Sequence, residues 1–148
     1  MAEQQNIDLS SLPPQALQSI AKQTEQELSI LRSSIVQLRS AQGRFKQSRD
    51  SLDQVSSTPV GSEMLIPLTE SLYVPGVARE NEHVLVELGT GFFSEKSVPQ
   101  AKEYFSRKIK YLEGRIKELT ETFDQKKQLL QVTVQVLQSQ QAAQTQSS

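Results

Sequence analysis

The strongest constraint in this sequence is a pair of long segments in which apolar residues recur at gaps of three and four. The first segment runs from Leu17 to Leu52 and the second from Phe105 to Leu137. These gaps are typical of the two seam positions of a heptad repeat, so each segment is predicted to be an amphipathic helix about 60 Å long. Such a helix buries one narrow stripe, which suits a chain of 148 residues with only 36% apolar residues.

Local signals support the boundaries of both helices. Pro59 and Gly61 end the first run, and Ser97 and Gln100 form a capping box in front of the second. The chain is therefore predicted to be one module with four parts: a first helix over 12–55, an apolar middle over 61–96, a second helix over 98–140 and a disordered polar tail over 141–148.

The middle segment has the short period of β-strands. The runs "EMLIPL", "SLYVPG", "HVLVEL" and "FFSEKS" predict two consecutive hairpins, with candidate turns at 69–71 and at Pro75-Gly76. Gly89-Thr90-Gly91 resembles the start of a phosphate-binding loop, but another strand follows where such a loop would open a helix. Gly89 and Gly91 are therefore predicted to turn the chain, in a three-residue hairpin loop.

Two short hairpins are poorly stable alone, and their edge strands must be covered. Pairing with strands of other chains is the simplest way to cover them, so the middle is predicted to drive assembly. The helices have equal length and can begin and end close together, which favours an antiparallel two-helix coiled coil. A register that pairs Leu52 with Ala101 brings Glu25 and Glu27 near Lys126 and Lys127, in exposed pairs worth at most ~1 kcal/mol.

The sequence contains little that could support catalysis. It has no Cys, which excludes disulfides and thiolate metal sites, and His83 is its only histidine, interpreted as a strand-edge residue. A net charge of −1 argues against nucleic acid as a partner, and no apolar run approaches the ~20 residues that span a bilayer. We expect a cytosolic protein without cofactor or metal, in which Tyr73, Tyr104 and Tyr111 are packing residues.

The tip of the predicted coiled coil is more apolar than a two-helix seam requires. Near its end, the second helix has apolar residues both on the seam and on nearly the opposite face, and the start of the first helix has a widened stripe. Such a patch either binds a partner or packs against a neighbouring helix of the same assembly, and the pattern does not separate these two readings. The apolar residues outside the seam are Leu12, Ala16, Ile20, Leu129, Val132 and Val136.

The blocks "LIPLTESLYVPG" and "VLVELGTGFFSEK", set between two heptad runs, resemble those of the alpha-class subunits of prefoldin. The resemblance covers roughly Leu12 to Leu137, although Phe92 and Phe93 stand where relatives often have tyrosine. It implies a heterohexamer of two alpha-class and four beta-class subunits, whose hairpins form a double β-barrel body. It also implies coiled coils whose tips hold unfolded polypeptides such as actin and tubulin without ATP, and pass them to the cytosolic group II chaperonin.

Transferred to this sequence, the resemblance assigns client contact to the six tip residues above. It assigns assembly to Leu65, Ile66, Leu68, Leu72, Val74, Val84, Val86, Leu88, Phe92 and Phe93. Two other functions stay open on the residues alone: a structural coiled-coil scaffold that binds one specific folded partner, and a small nucleotide-dependent enzyme that uses residues 89–91. The client range, the order of subunits and any nuclear role are also left open.

Overall fold

The structure, a computed structural model, describes residues 9–146 and the side chains of residues 9–143. It confirms the predicted α+β fold of two long helices with two antiparallel hairpins between them. A short 3-10 turn, Leu9–Ser11, precedes the first helix. The main elements are α1 (Pro14–Ser57), β1 (Glu63–Pro67), β2 (Tyr73–Val77), β3 (His83–Gly89), β4 (Phe92–Ser97) and α2 (Val98–Gln146).

Prolines and caps set the helix boundaries. Pro14 is the first residue of α1, a position where the missing N–H is not needed. Pro59 and Gly61, which has a φ of 92°, follow the end of α1 as predicted. The capping box in front of α2 is confirmed: the Ser97 N–H donates to Gln100 Oε1 at 3.1 Å, and the Gln100 N–H donates to Ser97 Oγ at 3.4 Å.

The disordered tail predicted for residues 141–148 is wrong over most of its length, because α2 continues to Gln146. The disorder was predicted from the polar composition of this segment, which does not take its helical propensity into account. Ala and Gln are good helix formers, and the segment contains no Gly or Pro to stop a helix that is already formed. Residues 147 and 148 lie outside the described residues.

The chain divides into two compact units. The terminal unit contains the residues up to Leu38 together with those from Arg115 onward, and the central unit contains Arg39–Gly114. In the terminal unit α1 and α2 run antiparallel, because Glu27 forms an ion pair with Lys126 while Gln140 contacts the start of the described chain. The predicted antiparallel pairing and the Glu27–Lys126 contact are both confirmed.

The seam of the terminal unit contains two buried threonines beside Leu17 and Ile35. Thr24 is buried, and Thr133, which was not predicted to lie in the seam, is fully buried. Each hydroxyl donates to a carbonyl one turn earlier, from Thr24 to Ile20 and from Thr133 to Leu129, both at 2.8 Å. Because each hydroxyl is hydrogen-bonded within its own helix, burial leaves no hydroxyl unsatisfied.

The central unit has a larger core, where the second hairpin meets both helices. Leu52, Val86, Val98 and Ala101 form its buried cluster, which confirms the predicted proximity of Leu52 and Ala101. Further along the helices, the rings of Phe45 and Phe105 lie 6.1 Å apart. Lys102 also pairs with Asp53, so α1 and α2 are antiparallel in this unit as well.

In the first hairpin, β1 pairs with β2 and the turn falls at residues 69–71 as predicted. The second candidate turn, Pro75-Gly76, is wrong, because both residues lie inside β2. Gly76 lies opposite Met64, and a Cβ at Gly76 would overlap the side chain of Ile66, so close packing rather than a turn explains this glycine.

The second hairpin pairs β3 with β4 and confirms that the glycines turn the chain. Its loop is tighter than the three residues predicted. Gly89 pairs with Phe92, so Thr90 and Gly91 alone form the turn, and a bulge between Glu87 and Gly89 leaves Leu88 unpaired. Thr90 and Gly91 both have positive φ, 47° and 80°, as a type I′ hairpin turn requires.

Neither helix, within residues 9–146, has a stretch long and apolar enough to cross a membrane. In the same part of the chain, no group of three or more His, Cys, Asp or Glu residues could hold a metal ion.

The seam generates a prediction about stability. Leu17→Ala removes a fully buried side chain and should lower the unfolding free energy of the terminal unit by about 2–4 kcal/mol. Ile30→Ala, at an exposed position of α1, is the matched control and should change it by less than about 0.5 kcal/mol. Hydrogen–deuterium exchange of residues 9–38 in the assembled complex measures both values. Equal protection in the two variants would contradict the described seam.

His83 at the start of β3 generates a second prediction. A hydrogen bond with Glu80 raises the pKa of His83 above its usual 6.5. The stabilisation from the protonated His83 is therefore complete below pH 6.5 and is lost as pH rises through the raised pKa. NMR titration of the single histidine should give a pKa above 6.5, and Glu80→Gln should return it toward 6.5. An unchanged pKa in that variant would contradict the contact.

Candidate binding surfaces

The first hairpin exposes apolar side chains on both faces. Met64 and Ile66 lie on one face and Leu65 and Tyr73 on the other, and all four are exposed, Leu65 by 70% of its surface. A two-stranded sheet with no buried face has no core of its own. Among the predicted assembly residues of this hairpin, Val74 is half-buried, and the exposed ones are Leu65, Ile66, Leu68 and Leu72.

The second hairpin divides its apolar residues between its two faces. Val84 packs against the central core, and Val86, only 4% exposed, is part of it. The assignment of Val86 to contacts with other subunits is therefore corrected: it serves the chain's own core, because alternate residues of β3 point toward the helices. Val84 is half-buried, and its assignment stays a prediction. Leu85 on the other face was missed and is strongly exposed, as are Leu88, Phe92 and Phe93.

Both sheets have two strands, so every strand has one free edge. In the first hairpin, Leu68 donates to Leu72 at 2.8 Å and Ala78 donates to Ser62 at 2.9 Å. Along an antiparallel ladder, hydrogen-bonded and non-hydrogen-bonded pairs alternate, so Pro67 and Pro75 both belong to non-hydrogen-bonded pairs. In such a pair the N–H points away from the partner strand, toward the free edge. The prolines remove one outward donor from each edge, and those that remain belong to Glu63, Leu65, Tyr73 and Val77.

The six predicted tip residues, called the tip surface from here on, all lie in the terminal unit. Leu129 and Val132 are 40% and 46% exposed, so both present apolar area to solvent. Val136 is half-buried rather than on the outer face, because it lies on the flank of the seam. The three residues near the start of the chain, Leu12, Ala16 and Ile20, are also half-buried.

Gln140 connects the two halves of the tip surface. It follows Leu129 and Val136 on the same flank of α2, at spacings that place helical residues close together. Its Nε2 donates to the carbonyls of Ser10 at 3.3 Å and Leu12 at 3.1 Å. The apolar residues near the start of the chain therefore adjoin those of α2, while Gln140 Oε1 is buried without a hydrogen-bond partner among the described residues.

Two described stretches of the terminal unit contain no charged side chain. No Asp, Glu, Lys, Arg or His occurs from Leu9 to Ala21 or from Gln128 to Gln146. An open depression of about 700 Å³ lies along α2 there, lined by Leu130, Val132 and Val134 together with three glutamines, Gln128, Gln131 and Gln135. Such a surface offers apolar area and amide hydrogen bonds without selecting the charge of its ligand.

The loop at Gly89-Thr90-Gly91 does not have the features of a phosphate site. β4 follows the loop directly, so no helix N-terminus faces it. The Gly91 N–H donates to Glu87 Oε1 at 3.3 Å, which places a carboxylate beside the loop. A carboxylate at this position repels a phosphate.

Two of the three tyrosines predicted to pack are exposed instead. Tyr73 is exposed in the first hairpin, and Tyr111 on α2 is 66% exposed, while Tyr104 is half-buried. The sequence could have predicted that Tyr111 is exposed, because Tyr111 lies outside the seam positions that Ile109 and Leu112 occupy.

Comparison with known proteins identifies the family. The family model for Prefoldin, described as "Prefoldin subunit", matches residues 24–143. This chain belongs to the prefoldin family. Relatives with similar sequences include the "Prefoldin subunit 5" of Homo sapiens, 33% identical over 90% of this chain and 86% of that protein. The "Probable prefoldin subunit 5" of Schizosaccharomyces pombe is 38% identical over 94% of this chain and 92% of that protein.

The fold has a counterpart among solved structures. A chain in the cryo-EM structure of filamentous PFD from Methanocaldococcus jannaschii superimposes with a TM-score of 0.72, covering 79% of this chain and 97% of that one. Its sequence identity of 18% supports the fold alone. Prefoldin subunits are chaperone components, not enzymes, and assemble with one another, so membership in the family implies a chaperone role for this chain.

Proposed function

We propose that this chain is a subunit of an ATP-independent chaperone that captures unfolded or nascent polypeptides at its tip surface. Its clients are chains of the actin and tubulin type, which it delivers to the cytosolic group II chaperonin. The tip surface supports this proposal, because it is apolar, presents the exposed side chains of Leu129 and Val132, and lies in stretches without charged residues in a prefoldin-family chain. The exposed side chains can contact apolar segments of a client, and the surrounding glutamines can bond its backbone amides.

The small size of the tip surface suits reversible capture. Leu129 and Val132 each keep less than half of their surface exposed, so one tip offers a client only a small apolar area. Several such tips on one assembly raise the effective concentration of binding sites, and the combined affinity exceeds that of each tip. A client then dissociates one contact at a time, and no nucleotide hydrolysis is required.

The hairpins support the second part of the proposal, a heterohexamer of two alpha-class and four beta-class subunits with a double β-barrel body. Leu65 and Phe92, about 70% exposed, are among the most exposed apolar residues of the described chain. Barrel formation would cover these side chains and the free strand edges together. We place this assembly in the cytoplasm, where nascent clients and the chaperonin are present.

Replacement of the exposed tip residues should impair holding without disturbing assembly. Leu129→Asp plus Val132→Asp places two charges on the tip surface and should reduce the suppression of aggregation several-fold. Ile30→Asp plus Val36→Asp, at exposed apolar positions of α1 in the same unit, is the matched control and should hold clients normally. The assay is light scattering of a denatured protein diluted from guanidinium into the purified complex, without nucleotide.

The salt dependence of the same assay gives a further prediction. Because the tip surface is uncharged, holding of the client by the wild-type complex should be nearly independent of salt between about 50 and 300 mM.

Two outcomes of the assay would contradict client capture at the tip surface. Normal holding by the Leu129→Asp, Val132→Asp complex would disprove the tip assignment. An intact complex that leaves aggregation unchanged and saturably binds one folded protein would instead indicate a scaffold.

Charges on the exposed hairpin residues should block assembly. Leu65→Glu plus Phe92→Glu would bury two carboxylates in the proposed body, so co-expressed partner subunits should no longer co-purify with this chain. Gln47→Glu plus Ser106→Glu adds the same charge at exposed helical positions of the central unit, and should assemble normally. Size-exclusion chromatography separates the two outcomes, and an intact complex with the hairpin variant would rule out assembly through these residues.

A further inference from the structure

One flank of α2 in the central unit combines tyrosines with cations and has no counterpart in the functions above. Tyr104, Arg107, Lys108 and Tyr111 follow one another at spacings of three, one and three, which places them on one side of the helix. They line an open cavity of about 380 Å³. Tyr111 is two-thirds exposed, although burial of a tyrosine ring is ordinarily favourable.

A lysine from the second hairpin extends this flank. The Nζ atoms of Lys96 on β4 and Lys108 on α2 lie 5.7 and 5.6 Å from the centroid of the Tyr104 ring, within the range of cation–π contacts. These contacts hold the two ammonium groups and the ring together. We call the five residues Lys96, Tyr104, Arg107, Lys108 and Tyr111 the cationic flank.

The cations of this flank have no carboxylate partners of their own. Across the described residues, ion pairs involve Arg49, His83, Lys102, Arg115 and Lys126, and none involves Lys96, Arg107 or Lys108. Of the acidic residues of this stretch of α2, Glu113 lies on the opposite side of the helix from the flank. Glu103 precedes Arg107 by one helical turn but forms no ion pair with it. No carboxylate lines the cavity.

We propose that the cationic flank is a docking surface for an acidic, unstructured peptide segment of a partner protein. Arg107 offers planar, bidentate hydrogen bonds to a carboxylate, and Lys96 and Lys108 add two point charges. Tyr104 and Tyr111 stand about 10 Å apart along the helix, and the cavity between them accommodates an apolar side chain of the peptide. This proposal is independent of client capture, since the tip surface has no charge.

Charge and size favour a peptide over a nucleic acid. The flank has three cations, whereas tight binding to nucleic acid commonly neutralises about 6–10 phosphates. The whole chain has a net charge of −1, so no wider positive field extends the site. A short run of Glu or Asp residues around one apolar residue matches three cations and two rings.

The test measures fluorescence anisotropy of a short labelled peptide, with glutamates on both sides of a single Leu, against the purified complex containing this chain. Arg107→Glu plus Lys108→Glu should raise the Kd at least about tenfold. Lys110→Glu plus Lys117→Glu carries the same charge change at exposed α2 positions outside the flank, and should change the Kd less than about twofold. Tyr111→Ala should weaken binding at both low and high salt.

Each other outcome overturns the proposal. These outcomes are no binding of the peptide, equal losses in the flank and control variants, equal binding of a peptide with Gln in place of Glu, and tighter binding of a single-stranded oligonucleotide. The milder variant Arg107→Gln plus Lys108→Gln guards against a folding defect and should still weaken binding. If both flank variants fail to assemble while the control assembles, the flank is a subunit interface and the docking proposal is wrong.

Discussion

The packing of α1 against α2 along one narrow stripe is the constraint on which the rest of the structure depends. Only eight apolar residues of the described chain are buried, and four of them form the cluster under the second hairpin. A seam this narrow cannot cover the first hairpin, the outer face of the second or the tip surface. The chain therefore has exposed apolar area that only other polypeptides can cover, which agrees with a family whose members assemble.

Sequence reasoning recovers the helices, the hairpins and the antiparallel pairing, because each depends on local or periodic signals. The capping box at Ser97, the Glu27–Lys126 pair and the turn glycines all follow from spacing. Sequence reasoning fails where contacts between distant residues determine the local structure. Pro75-Gly76 has the composition of a turn, but the side chain of Ile66 occupies the space beside Gly76. The Gln-rich end of α2 looks disordered by composition, yet its residues favour helix once a helix precedes them.

The sequence also predicts the candidate surfaces only in part. Alternation shows that β3 has two faces but not which face meets the helices, so the buried Val86 was assigned to assembly while the exposed Leu85 was missed. Thr133 was missed because a polar residue is ordinarily placed outside a seam. Its hydroxyl is hydrogen-bonded within its own helix, so Thr133 can be buried in the seam without leaving a polar group unsatisfied.

Charge divides the two helices into segments with different binding chemistry. The ends of the terminal unit carry no charged residue from Leu9 to Ala21 or from Gln128 to Gln146. The cationic flank of the central unit, by contrast, has three cations that form no ion pair among the described residues. Apolar and amide contacts bind chains of any charge and are insensitive to salt, while Arg and Lys contacts select acidic segments and weaken as salt rises. Under the two proposals, one chain holds unfolded polypeptides with little selectivity at the tip surface and recognises an acidic partner at the cationic flank.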